Sequence, residues 1–187
     1  MTLSNRFLNL VVASLLAIAG ICGPALAVDD ARLDRLYADL REAGPDRARR
    51  LAREIEMERS KSESPSMDLL LQRGMDALAA GDTDAAIGHL TALTDHAPDF
   101  AEGWYRRAQA FARADMLGPA VADLARVLTL SPRHYQAIAT LGGIFLEVNK
   151  PALAQEAFAR ALAINPHDAE ITAAMKQLDG QTRGADL

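Results

Sequence analysis

The sequence predicts an all-α fold, a stack of antiparallel helix pairs, on three observations. Prolines recur at a fixed interval: Pro98 in "DHAPDFAE", Pro132 in "TLSPRHYQ" and Pro166 in "AINPHDAE" stand 34 residues apart. An interval of that size marks stacked supersecondary units. Within each interval the apolar residues fall into two amphipathic runs at helical spacing. Composition agrees, because half of the 187 residues are hydrophobic but only 5% are aromatic. The apolar share leans on Ala and Leu, which favour helices, over the β-branched and aromatic residues that favour strands.

The first element reads as a leader. Residues 1–27 carry one cation, Arg6, then an apolar run from Phe7 to Cys22, then Gly23-Pro24 and the small-residue ending Ala25-Leu26-Ala27. That order predicts a secretory signal cleaved after Ala27. The alternative is an uncleaved inner-membrane anchor, since the stretch approaches spanning length when read through to Ala27; the helix-breaking Gly-Pro and the small pair favour cleavage. Cys22 is the only cysteine, so the remaining chain can form no disulfide. Ile21 is not the small residue that a lipid-attached cysteine needs before it. Loss of Arg6 leaves 19 basic against 25 acidic residues, a net of −6. Nothing in that balance suggests a nucleic-acid partner, and it disfavours tight docking to anionic lipid. Arg outnumbers Lys 17 to 3, as in GC-rich bacterial genomes. The expected compartment is a bacterial periplasm, with no stable membrane insertion after cleavage.

Residues 28–66 follow as a charged helical hairpin and linker. Leu33, Leu36, Tyr37 and Leu40 lie at helical spacing, Gly44-Pro45 makes a turn, and Ala48, Leu51, Ala52 and Ile55 resume the spacing. Dense, even charge over the rest suits a degenerate repeat or a solvent-facing cap on the stack. "RARRLAR" reads as part of that solvated face, because Asp46, Glu54 and Glu56 are interspersed. "SKSESPS" is a loop, with Ser66 a candidate N-cap. The period then runs through 67–100, 101–134 and 135–168. First helices are expected near 68–80, 101–114 and 135–148, and second helices near 83–96, 118–130 and 152–164. Gly81, with Asp82 as the next N-cap, Gly118-Pro119 and Asn149-Lys150-Pro151 supply the turns. Over 169–187, Ile171, Met175 and Leu178 give a capping helix before the tail frays.

The three units resemble tetratricopeptide repeats (TPR). Leu70, Gly74, Ala86, Leu90 and Pro98 fit that family's pattern in the first unit, with Ala77 where an aromatic is expected. Trp104, Ala108, Phe111, Ala120, Leu124 and Pro132 fit in the second, with Arg107 in place of a leucine. Ile138, Leu141, Gly142, Phe145, Ala154, Phe158, Ala161 and Pro166 fit in the third. Small residues Gly74, Ala108 and Gly142 are expected to let the helices of a pair approach, met by Ala86, Ala120 and Ala154. Large residues, Trp104 among them, should fill the space between pairs. A buried Trp104 would cost about 3–5 kcal/mol when cut to alanine.

The resemblance implies a right-handed superhelical α solenoid whose first helices line a concave groove for a protein or peptide partner. Carried over, that groove includes Leu71, Met75 and Leu78, then Tyr105, Arg106, Gln109 and Arg113, then Gln136, Ala139, Gly143 and Leu146, with Arg133 and His134 at the junction. Arg106 and Arg113 beside Tyr105 could recognise a carboxylate or an acidic segment, or could be ordinary solvated side chains. The lysine and asparagine set that clamps C-terminal carboxylates in chaperone-binding relatives is missing, and Leu71 and Met75 stand where it would begin. No catalytic residue, cofactor motif, metal-ligand set or small-molecule site is expected. His89 and His96 are too far apart for a metal site without converging carboxylates, and no nucleophile has recognisable partners. The alternative reading is an assembly factor of an envelope complex that acts through its convex or end surfaces.

Overall fold

The computed structural model describes residues 31–185; the leader expected at 1–27 lies outside them. Among the described residues the chain is all helical: α1 (Ala31–Glu42), α2 (Pro45–Arg59), α3 (Pro65–Ala80), α4 (Thr83–His96), α5 (Ala101–Arg113), α6 (Leu117–Leu130), α7 (Tyr135–Glu147), α8 (Pro151–Ile164) and α9 (Ala169–Ala185). Helices α3/α4, α5/α6 and α7/α8 pack as pairs, and α9 packs on α8.

The period is written in the backbone. Ala97, Ser131 and Asn165 each precede one of the three prolines and leave the helix at nearly the same angles, φ/ψ −131/68, −138/82 and −123/87. Proline forbids helical geometry in the residue before it, so each second helix stops there. Pro98 and Pro132 lie in the turns between pairs and Pro166 in the turn before α9, and none of them opens the following helix. Inside each pair a second punctuation repeats: Gly81, Asp115 and Asn149, again 34 apart, take left-handed φ values of 78, 58 and 56°. Glycine adopts that region freely, and Asp and Asn are the L-residues that tolerate it best. The start of α3 differs from expectation: it begins at Pro65, before Ser66, with proline in its first turn. Asp82 caps α4 as expected, accepting from the Ala85 amide at 3.0 Å.

Within the pairs, the residue that faces a small position is a large one. A Cβ on Gly74 would lie 2.5 Å from Leu90, and one on Gly142 would lie 2.6 Å from the Phe158 ring. Ala86, Ala120 and Ala154 are fully buried nearby, but they are not the closest neighbours of these glycines. Trp104 also departs from expectation, being only partly buried, with its Nε1 donating to the Pro98 carbonyl at 3.0 Å. Its truncation should therefore cost less than that of an enclosed indole.

Arg107, the departure from the repeat pattern, has a physical explanation. Its guanidinium makes a two-pronged pair with Asp123 (2.7 and 2.8 Å), donates to Thr94 at 2.7 Å and lies over the Trp104 ring at 4.7 Å. One side chain thus ties α5 to α4 and α6 where a leucine would only pack. Asp123 is nearly enclosed, so Arg107→Leu alone should destabilise by about 3 kcal/mol, because it strands a buried carboxylate. Arg107→Leu with Asp123→Leu should recover most of that loss in a urea titration.

Candidate functional site

Helix α3 touches α5 and α5 touches α7, whereas α4, α6 and α8 make no comparable contact with one another among the described residues. A stack with one tighter layer curves toward it, so α3, α5 and α7 line the concave face. The hairpin α1/α2 does not stack on α3 as one more repeat. It folds back over the concave face, and its buried Leu36, Tyr37, Leu40, Leu51 and Ile55 join one apolar core with Tyr105, Ala108, Ile138 and Phe145. Leu71, Leu78, Leu90 and Leu93 form a separate core in the first pair.

Polar contacts fix the hairpin in place. Arg59, the last residue of α2, donates to Tyr37 Oη at 3.1 Å and to Gln136 Oε1 at 3.0 Å, and its Nε stands 3.6 Å from Glu102 Oε2. Arg106 donates to Glu102 Oε1 and to Glu56 Oε1, both at 2.7 Å. Arg133 pairs with Asp34 and lies 4.7 Å over the Tyr37 ring. Glu102 and Gln136 are 34 residues apart, the same position in successive units, and Arg59 reaches both. Asp68, one period earlier, accepts from the amide and hydroxyl of Ser62 in the linker. The segment 59–62 therefore touches the same repeat position three times.

The centre of this network is ionised although it is enclosed. Burial would raise the Glu102 pKa, but the His134 ring together with the Arg59 and Arg106 cations outweighs it and holds the carboxyl down at about 2. Burial alone would lower the Arg59 pKa, but Glu102 and Tyr37 outweigh it and keep the guanidinium charged above its usual range. His134 goes the other way: burial and the Arg59 charge push it down to about 4, so at neutral pH the ring is uncharged. Its Nδ1 accepts from the Ala137 amide at 3.1 Å and so caps α7, which leaves the proton on Nε2, 3.4 Å from Glu102 Oε2.

Both depressed values give the same dependence on pH. The unfolded chain takes up each proton first, so stability is lost as pH falls from the unfolded pKa to the folded one. That window runs from 6.5 to about 4 for His134 and from 4.5 to about 2 for Glu102. At about 1.4 kcal/mol per pH unit, the histidine alone withdraws about 3 kcal/mol across its window. His134→Asn, whose amide oxygen can retain the cap, should flatten the upper window and, because the ring also helps hold Glu102 down, narrow the lower one, as read in thermal melts between about pH 7 and about pH 3.

The residues expected to line the groove divide into three groups. Leu71, Leu78, Tyr105 and His134 are buried in the packed interior. Arg106, Gln136, Arg133 and, through Arg106, Gln109 belong to the network that holds the hairpin. Arg113, which donates to the Leu78 carbonyl at 2.6 Å, and Leu146 are exposed, while Met75 and Ala139 are half-buried. Arg106 is therefore not an open cation, because two carboxylates already flank it. Sequence reasoning passed over Glu102 and Arg59. The period could have found Glu102, because it occupies the position of Gln136. Among the described residues no group of three or more His, Cys, Asp or Glu side chains is placed to hold a metal, and no helix is long and apolar enough to cross a membrane.

No protein-family model matches the chain. A TPR repeat-containing protein of Rhizobium etli is 33% identical over 138 residues, which cover 73% of this chain and 68% of that protein. Among solved structures, the first TPR domain of Spaghetti (RPAP3) bound to the HSP90 peptide SRMEEVD superposes with a TM-score of 0.61 at 22% identity, over 64% of this chain and 95% of that one. MamA superposes with a TM-score of 0.56 at 18% identity, over 79% and 81%. The structural likeness reproduces the solenoid of helix pairs, and the likeness to the Rhizobium protein spans most of both sequences. On these grounds the chain belongs to the tetratricopeptide-repeat family.

Proposed function

We propose that this protein is an interaction module, not an enzyme, and that its concave face receives a helical segment of a partner protein in the bacterial periplasm. The observation that carries this reading is that the face already holds a helical hairpin: α2 reaches α5 and α7 through Arg59 and Glu56, α1 rests against α8, and the apolar residues of both helices join the same core. A face that accommodates one amphipathic helix has the shape and polarity for another. TPR domains whose structures hold HSP90 and Hsp70 peptides give the family precedent. The missing carboxylate clamp argues that the ligand here is not a chain terminus. The periplasmic assignment rests on the order of residues in 1–27.

A photo-reactive residue at Leu146, on the exposed part of the face, should trap one discrete partner in cells, and the same residue at Ala122 on the outer helix α6 should not. Equal trapping at both sites would count against the groove. A second reading has its own observation: Met57, Leu69 and Met116 are large apolar side chains exposed away from the enclosed network. An assembly factor would use such surfaces, and altering them would then abolish association while changes in the groove would not.

A further inference from the structure

We propose that the hairpin α1/α2 is a displaceable internal occupant of the concave face, and that the partner helix which replaces it carries glutamate and arginine three residues apart beside an apolar stripe. This rests on the groove-binding reading and adds what the ligand must look like. The groove presents Glu102 and Arg106 one turn apart on α5. Helix α2 answers with Arg59 and Glu56 in the reverse order, acid on base and base on acid, while Leu51 and Ile55 fill the apolar side. A competing helix that supplies both charges replaces the contacts Glu102 and Arg106 make beyond their own pair, and a helix that lacks them does not.

Three features make the hairpin a replaceable ligand and not a fixed repeat. It makes no repeat-like stack with α3, to which it is joined only through residues 60–64, where Glu63 adopts a left-handed φ of 60°. Its outer surface is mainly charged, with Arg35, Arg50 and Arg53 exposed and Met57 the one large apolar side chain open there, so the hairpin is buried on one side only. The fit at its centre is also incomplete. Arg59 Nη2 is enclosed without a hydrogen-bond partner among the described residues, and Glu102 Oε2 is met only at long range, by His134 Nε2 at 3.4 Å and Arg59 Nε at 3.6 Å. Such a network leaves room for a better-matched helix.

The test uses the full chain and a fluorescein-labelled peptide of residues 31–60 as the probe helix. Glu56→Arg sets two cations against each other at Arg106 and should open the groove, raising peptide affinity at least tenfold over the unaltered chain. Adding Arg106→Glu to that variant should return affinity to the starting value. No gain with Glu56→Arg, in a chain whose helicity is intact, would overturn the proposal. If that variant does not fold, the unaltered chain decides: excess unlabelled peptide should speed proteolysis within residues 60–64 severalfold, and an unchanged rate would overturn it. Dimers of Glu56→Arg that exchange hairpins would make a second copy the occupant and would also overturn it. Failure here is separable from failure of the broader reading. Trapping at Leu146 with an unmoved hairpin keeps the groove partner and removes this mechanism. Peptide exchange without any trapping at Leu146 does the reverse.

Discussion

Replacing Glu102 with leucine should cost the fold about 3–5 kcal/mol, the loss expected when one member of a buried ion pair is removed. The Arg59 side chain opposite is 5% exposed and Glu102 is fully enclosed, so water cannot take over the role of the lost carboxylate. The damage should be local in character. Amides of α1 and α2 should exchange with solvent much faster, because the hairpin loses its anchor, while those of α4 and α8 keep most of their protection. Glu102→Leu combined with Arg59→Met should recover much of the stability, since the pair is then replaced by apolar packing. A single variant that melts within about 0.5 kcal/mol of the parent would show that the hairpin is held by its apolar contacts alone.

Two adjacent glycines in α7 should respond to the same substitution with opposite signs. A Cβ at Gly142 would lie 2.6, 2.8 and 3.0 Å from three carbons of the Phe158 ring, and a rigid ring can relieve that only by moving α8 away. Gly142→Ala is therefore expected to destabilise by about 1–3 kcal/mol, the range for overpacking. Gly143 has nothing within 4 Å of the same atom, so Gly143→Ala should gain about 1 kcal/mol from helix propensity. Urea titrations of the two variants would measure the difference, and equal effects would mean that the α7/α8 contact is loose. Gly74→Ala should also destabilise, because the added Cβ would lie 2.5 Å from the Leu90 branch carbon and 2.6 Å from one of its methyls.

The repeat core was legible because its determinants are local and recur. Proline blocks the helix in the residue before it, and a small residue in one helix needs a large one in the next. Both rules act within a few turns of chain. Arg107 was legible as a misfit, and the structure explains it by Asp123, a partner 16 residues away on α6. The hairpin was legible as a hairpin but not in its destination. Its even charge suits open water and equally suits a groove that offers charges of both signs. Only tertiary contacts distinguish the two, such as Arg59 reaching Gln136 across 77 residues. The candidate site was half legible for the same reason. The repeat register located the concave face, but nothing local in the sequence marks that Arg106 is already satisfied by Glu56.

The placement of the hairpin also has a consequence in time. Asp34 meets Arg133 across 99 residues, and α1 rests against α8. Along the described chain α1 and α2 come before the surface that receives them, which is complete only with the third helix pair. Contacts of such long sequence separation form slowly, whereas each pair can close as soon as its second helix appears. Of the described helices, α1 and α2 are thus the last to settle, and until then an unfilled face and an unattached hairpin coexist. That interval is when the concave face is most open to other chains.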